Sequence, residues 1–531
     1  TLAPMHFKRA CALWLTLVAS CAGRIASPET LRSTETSFAQ WSGSLSFEAR
    51  LPTSSGLSQQ GELRPVRLAR LQVLSPQGEV VTESTTDKHG TFQIRAPVDA
   101  STLRILAMVV HDRYDLRVTT DRTGEEVHTI DVPLGSPEKM IAIEIRDPMP
   151  MAGALHILDT LLRGSEQVRS WSGEVLAPLF VYWQRGETTT WSYYHGECPP
   201  ESGRYCIELL GGSDGELERS DTDEHDEFII LHELGHFVFD LLSTSSSHGG
   251  THPAGHLLDP GLCWEEGRAT WFATAVLGSS RYRDTVGVEG HGRLRVDHNI
   301  EDASKVGSAL GSEPVVSEVL WDLSDGGVHL PDEDGDPLAV GPQRLFQAMM
   351  LQRRVEGAYP TIHSFLRFLI DREFVSEDEL QRMISVGAHP PDLLSSSHEN
   401  LWPRSLSVPG RVSGKIDGVS DPAPSGGPNR PQNGLDAMMV YRFQWNATGR
   451  ILLRLRTFGS GSAADRQDLD LELRDIRSDL LAASRSQAPV EAVSAVLEPG
   501  WYLVYVRDGG SGNRAGFELE LRRSRLTAHA P

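Results

Sequence analysis

Cysteine is scarce in this chain. Five occur in 531 residues, too few for a fold held mainly by disulfides. Positive charge is also in deficit: 50 Lys and Arg stand against 72 Asp and Glu, a formal net charge of −22. A surface of that sign repels phosphate backbones and anionic headgroups, which argues against nucleic acid as a partner. Long apolar runs are missing too. Past the N-terminal segment no stretch approaches the roughly 18 apolar residues of a spanning helix. What the chain does have is length, enough for about two to four domains.

The N-terminal segment reads as an export signal. Met5 is a plausible start, with Lys8 and Arg9 as a basic region and residues 10–19 as an apolar stretch too short to span a bilayer. It ends in Val-Ala-Ser-Cys, with Cys21 after small residues. This resembles the bacterial lipoprotein signal, over residues 5–21, in which the cysteine is lipidated. The resemblance implies an exported protein tied to a bacterial membrane, periplasmic or at the cell surface, with the lipid on Cys21 as its sole membrane contact. An ordinary secretory signal with another cleavage point is the alternative. Cys198 and Cys206 close a short loop and are expected to pair in an oxidising compartment, whereas Cys263 reads as a small buried apolar residue.

Residues 22–39 are rich in Ser, Thr and Glu without a period, as in a flexible tether. From 40 to 146 short β-branched or aromatic segments alternate with turns, including WSGSLSFEA, TFQIRA, LRILAMVV and YDLRVTT; this spacing suits a β-sandwich or a barrel, and a β-sandwich is expected. The turn around Thr86, Asp87, Gly90 and Phe92 resembles that of carboxypeptidase-regulatory-like modules, which implies an accessory domain without chemistry of its own. Residues 147–402 change to a mixed α and β block dominated by helices. Its first helix, around AGALHILDTLLRGSEQVRSW, reads as amphipathic. From 403 to 525 strands return, with clear alternation in DLDLEL and WYLVYV, and a second sandwich is predicted. Gly414–Asp417, Asp468–Leu473 and Glu498–Tyr502 resemble the bacterial pre-peptidase C-terminal domain, a companion of secreted peptidases.

The stretch LHELGHFVFD, residues 231–240, carries the chemistry. On a helix, positions four apart lie about 40° from each other around the axis, so His232 and His236 can offer two imidazoles to one metal. Glu233 lies about 100° from His232, beside the metal and free to act as a base. Zinc lowers the pKa of a bound water toward about 7, within reach of a carboxylate base. A core helix with satisfied histidines is the plain alternative. Against it stand an apolar helix, where unpartnered imidazoles would be costly, and uncharged residues on both sides, from Ile229 to Val238 apart from the motif itself.

Catalytic zinc takes three protein ligands. The metzincin arrangement fails, because Phe239 and Leu242 occupy the places of its glycine and histidine. The string CWEEGRATWFA closely resembles the second-helix motif of gluzincin peptidases, in which the carboxylate just before glycine is the ligand. Carried over, Glu266 is the third ligand, and Gly267 and Ala269 let the two helices approach. Glu265 and His256 remain contenders. The resemblance implies an α+β zincin-like core with one catalytic Zn2+ and a protein or peptide substrate.

Asp240 is a candidate partner for a ligand imidazole, and Tyr193 and Tyr194 are candidate oxyanion donors. Residues 243–256 hold three histidines in a Ser/Gly loop. Glu318, Trp321 and Asp322 share a helix expected to wall the cleft. Asp332–Asp336 carries calcium-type ligands without the following glutamate of an EF-hand, so calcium is a secondary expectation and a charged surface turn the simpler one. Two rival readings remain: a surface binding or scaffold protein without proteolytic activity, and a zinc hydrolase of some other amide or ester.

Overall fold

The computed structural model describes residues 37–524 apart from 188–190, 199–203, 246, 251, 253–255, 288–292, 303–309, 327–334, 336–337, 354, 356, 358, 396–401, 417–432, 459–467 and 510–513. The signal, the expected lipid position Cys21, most of the tether and nearly all of the Asp332–Asp336 turn lie outside the described residues. The described chain is multidomain and rich in β-sheet, with seven α-helices.

Two four-stranded sheets make the first sandwich. In one, Phe38–Ala49 pairs with Ile141–Ile145, Glu62–Pro65 and Thr91–Pro97; the other runs Thr129–Pro133, Thr102–Leu106, Arg70–Leu74, Val80–Thr85. The first strand buries every second residue from Trp41 to Ala49, as its alternation requires. The turn that resembles the regulatory-like module is built as expected. Asp87 accepts from His89 N at 2.8 Å and Thr91 N at 2.9 Å. Gly90 takes φ +73°, and a Cβ there would meet Leu45 O at 2.4 Å.

The sandwich does not end cleanly at 146. LRILAMVV breaks at Ala107 into two strands, and the second, Met108–His111, leaves for another sheet together with Tyr114–Thr119. That sheet has the order Tyr193–Cys198, Arg204–Glu208, Leu179–Tyr182, Tyr114–Thr119, Met108–His111. Its three inner strands are parallel and its two outer ones antiparallel. Leu179–Tyr182 is buried at every position, as a strand covered on both faces must be. The expected division between 40–146 and 147–402 therefore cuts through one hydrogen-bonded sheet.

The helices are α1 (Pro150–Ser172), α2 (Glu227–Leu242), α3 (Pro260–Leu277), α4 (Glu313–Asp322), α5 (Pro342–Gln352), α6 (Ile362–Asp371) and α7 (Glu377–Val386). α1, read from sequence as amphipathic, is buried on most of its circumference, because it runs through the middle of the block. At Gly164 a Cβ would meet Leu234 at 2.4 Å, so α2 packs directly on its backbone. A hairpin, Arg281–Val286 with Arg293–Asn299, follows α3. The last block is a sandwich of a five-stranded and a four-stranded sheet, beginning with Arg404–Ser405 and Gly410–Ile416, and closing with Ala515–Arg523.

Candidate metal centre

Two helices bring the expected ligands together. α2 is apolar nearly all round and packs Leu231, Leu234 and Phe237 into the core, leaving His232 and His236 on the side facing α3, with Glu233 buried next to them in the helix. α3 starts with Asp259 as its N-cap, accepting from Leu262 N at 2.9 Å, and Pro260 in its first turn. The helices meet where a Cβ on Gly235 would come within 3.2 Å of Ala269 Cα. Ala269 is thus small for the reason expected. Gly267 is small for a different one: it faces Val316 of α4, where a Cβ would sit 2.5 Å away.

His232 Nε2 and His236 Nε2 lie 3.1 Å apart, and each is 3.2 Å from Glu266 Oε2. Around a tetrahedral ion with ligand bonds of about 2.0–2.1 Å, neighbouring ligand atoms are about 3.3 Å apart. The spacing and the nitrogen-nitrogen-oxygen set fit a zinc ion. All three side chains are largely buried, at 10%, 17% and 10% exposure. Glu233 is 7% exposed on the same helix.

Charge in the cluster is strongly coupled. Burial pulls the His236 imidazole down, but Glu266, with Glu233 and Glu265 behind it, outweighs that and lifts it to about 9. Burial opposes ionisation of Glu266, yet His252 and His236 hold it well below the usual carboxylate range.

Further side chains surround the cluster. Thr270 Oγ1 lies 3.2 Å from His232 Nδ1, on the ring edge away from Glu266. It sits one turn after Glu266, so helical spacing alone could have found it. His252 reaches Glu266 Oε2 at 3.7 Å and Glu313 Oε2 at 3.2 Å, and Glu266 raises it to about 10 against the pull of burial. Tyr282, on the unforeseen hairpin, packs its ring 6.1 Å from that of His232. Burial, then Asp284 and Glu233, keep its hydroxyl protonated far above the ordinary range.

Other candidates sit elsewhere. Glu265 is turned away into a buried ion pair with Arg268, which also donates to Ser243 Oγ at 3.2 Å. His256 is exposed. Asp240 accepts from Tyr194 OH at 2.8 Å, which engages two of the candidates with each other and not with a ligand imidazole. Tyr193 packs on His195 at 4.4 Å. Of the α4 residues, Asp322 is held by His389 Nε2 at 2.6 Å, Trp321 donates to Glu301, and Glu318 lies 3.7 Å from His298. It is Glu313, at the start of α4, that reaches toward the cluster. Cys198 and Cys206 form the expected disulfide, and Cys263 is a buried free thiol.

The last block touches α3 at its origin. Asp259 N donates to Asn433 O and Leu435 N to Leu257 O, each at 2.9 Å. The Asp259 carboxylate also accepts from Tyr359 OH at 3.1 Å and Trp402 Nε1 at 3.0 Å. Asn433 Oδ1 is 2.7 Å from His248 Nε2, in the loop that leads to His252.

No family model matches the chain, and no curated protein is significantly similar to it. Solved structures similar in part include the pre-peptidase C-terminal domain of a collagenase from Bacillus anthracis. That likeness has 16% identity and a TM-score of 0.16, over 22% of this chain and 91% of that one. Another is the periplasmic inhibitor of g-type lysozyme PliG from Aeromonas hydrophila, at 10% identity and a TM-score of 0.14, over 22% and 85%. The first is the kind of domain that residues 403–525 resemble in sequence. At these scores the likenesses bear on no argument about activity.

Proposed function

We propose that the chain is a zinc-dependent metallopeptidase with a zincin-like core, acting on peptide or protein substrates. The observation that carries the reading is the triangle of His232 Nε2, His236 Nε2 and Glu266 Oε2, 3.1–3.2 Å on each side, with Glu233 next to the histidines in the same helix. His232, His236 and Glu266 would hold the ion. Zinc bound there supplies a Lewis acid for the scissile carbonyl and makes a water acidic enough to attack it. Glu233 takes the proton of the attacking water and returns it to the leaving amine. Thr270 orients His232 through Nδ1, as outer partners of ligand histidines do. Tyr282, whose ring packs on His232 and whose hydroxyl stays protonated, would be the donor that meets charge developing on the carbonyl oxygen.

The test separates base from ligand. Glu233→Gln keeps near-stoichiometric zinc and loses about 10²–10⁴-fold in peptide hydrolysis. Glu266→Ala loses zinc and activity together. Glu265→Gln is the control, since an alanine would strand the buried Arg268; it keeps both. Zinc retained in Glu266→Ala, or an active Glu233→Gln, refutes the assignment. A zinc-loaded wild type that cleaves no peptide supports the scaffold reading instead.

Export and lipid anchoring through Cys21 are part of the same proposal, resting on the basic, apolar and small-residue pattern ahead of it. Cys21→Ser is expected to move the protein from membrane to soluble fractions. A wild type already soluble removes this part.

A further inference from the structure

A second cluster of acids lies ahead of α2 and has no part in the proposed reaction. Asp221, Asp223 and Asp284 each bring a carboxylate oxygen within 4.8 Å of the others. The first two are in the loop entering α2 and the third is in the strand Arg281–Val286. The two segments are zipped together by a bridge between Asp221 and Val286, and by Gly287 N donating to Ser220 O at 3.2 Å.

The acids around the cluster differ in what holds them: both oxygens of Glu218 and of Glu224 are buried without a hydrogen bond, whereas Asp226 and Asp223 have hydroxyl or backbone donors. Asp226 accepts from Thr285 N at 3.0 Å and Thr285 Oγ1 at 2.9 Å, and Asp223 accepts from Ser192 Oγ. Asp284 differs. It is 5% exposed, its Oδ1 meets no hydrogen-bond donor, and its Oδ2 is 3.7 Å from Arg295 Nε. Asp221 has both oxygens buried without a hydrogen bond, although Arg295 forms an ion pair with one. One guanidinium, itself 37% exposed and stacked on Trp191 at 5.3 Å, thus faces two of the three clustered carboxylates, Asp221 and Asp284. Such a group stays ionised only if a cation offsets it. Without one, burial, then Asp284 and Asp226, push Asp223 well above the carboxylate range, and burial lifts Asp284 to about 7.

We propose that Asp221, Asp223 and Asp284 bind one hard divalent cation, with calcium the best match in size. The donors are all oxygen, which disfavours zinc. Oxygens around one calcium, at 2.3–2.6 Å from it, lie up to about 5 Å apart, and the cluster falls inside that limit. The ion staples the entry of α2 to the hairpin. Tyr282 is two residues before Asp284 on the same strand, so the staple also holds the ring that packs on His232. The proposal stands independently of the zinc reading.

The experiment is titration of chelator-treated, full-length protein with CaCl2, followed by calorimetry and thermal melting, with Tb3+ luminescence as a second probe. The expected result is one calcium bound with a rise in Tm. Asp284→Asn and Asp221→Asn each weaken binding by about 10–100-fold, the scale on which a lost ligand-shell partner acts. Asp332→Asn with Asp334→Asn leaves it unchanged. No calcium bound by the wild type, binding unaltered in both cluster variants, or binding lost only in the 332/334 variant overturns the proposal.

Discussion

The two sandwiches meet the central block in different ways. The first shares a sheet with it, and one hydrophobic core runs without a break from Trp41 and Phe47 through Val118 and Leu158 to Leu231 and Trp271. The last has a core of its own, around Phe443, Leu453, Leu471 and Val504. It docks through a small cluster, Tyr359, Trp402, Met438, Val440, Leu503 and Tyr505, wrapped around the buried Asp259. A shared sheet makes block and metal helices one cooperative unit. A docked module can unfold alone, yet this one is hydrogen-bonded to the residue that starts the helix carrying Glu266. The difference separates folding from fine positioning.

The largest effect should come from charging each core in turn. Val118→Asp, at a fully buried position of the shared sheet, is expected to cost more than about 4 kcal/mol and to abolish the main melting transition with all metal binding. Val504→Asp, equally buried, should unfold the last sandwich and leave a melting transition of the remainder. Calorimetry of the two variants checks this. A single common transition lost in both would erase the distinction.

A smaller effect concerns the polar seam between the first sandwich and α2. Arg64 Nη1 is 2.6 Å and His156 Nε2 3.4 Å from Glu227 Oε1. Burial opposes ionisation of Glu227, but His156 and Arg64 prevail and hold it at about 2. A depressed carboxylate stabilises the fold above its ordinary pKa, and that stability is lost as pH falls from about 4.5 toward 2, on the order of 3 kcal/mol in all. Glu227→Gln should therefore be less stable than wild type at pH 7 and should lose less on acidification over that window. Urea melts from pH 7 to pH 3 read the two slopes. Parallel curves would remove Glu227 from the seam's account.

The smallest effect tests the docked side. Asn433→Ala removes the contacts to His248 and Arg507 and leaves the backbone bond to Asp259. We expect about 1 kcal/mol of destabilisation. We also expect zinc affinity to fall by less than about tenfold, below the cost of losing a direct partner of a ligand histidine. A competition titration measures it. A loss as large as that of Glu266→Ala would mean that the docked module holds the centre as firmly as the shared sheet does.

Much of the site was legible before any fold was known. His232, Glu233 and His236 lie within five residues, and helical periodicity alone puts the two histidines on one face. Thr270 follows Glu266 by one turn and was legible on the same ground. Strands of the last block such as Gly410–Ile416, Gly449–Phe458 and Ala515–Arg523 were visible because each has one more exposed face and alternates, while Leu469–Asp475 and Gly500–Asp508 alternate in sequence yet are buried over most of their length. Other features belong to the tertiary structure. Alternation cannot say which sheet a strand joins, so Met108–Thr119 read as part of the first sandwich while its backbone bonds lie with Leu179–Tyr182. Adjacent acids look alike in sequence, yet Arg268 draws Glu265 away while Glu266 turns to the histidines. Asp221 and Asp223 stand some sixty residues from Asp284, and Tyr282 about fifty from His232. Local propensity acts over a few residues. Contacts at such separations exist only because buried apolar helices and a shared sheet close the chain around them.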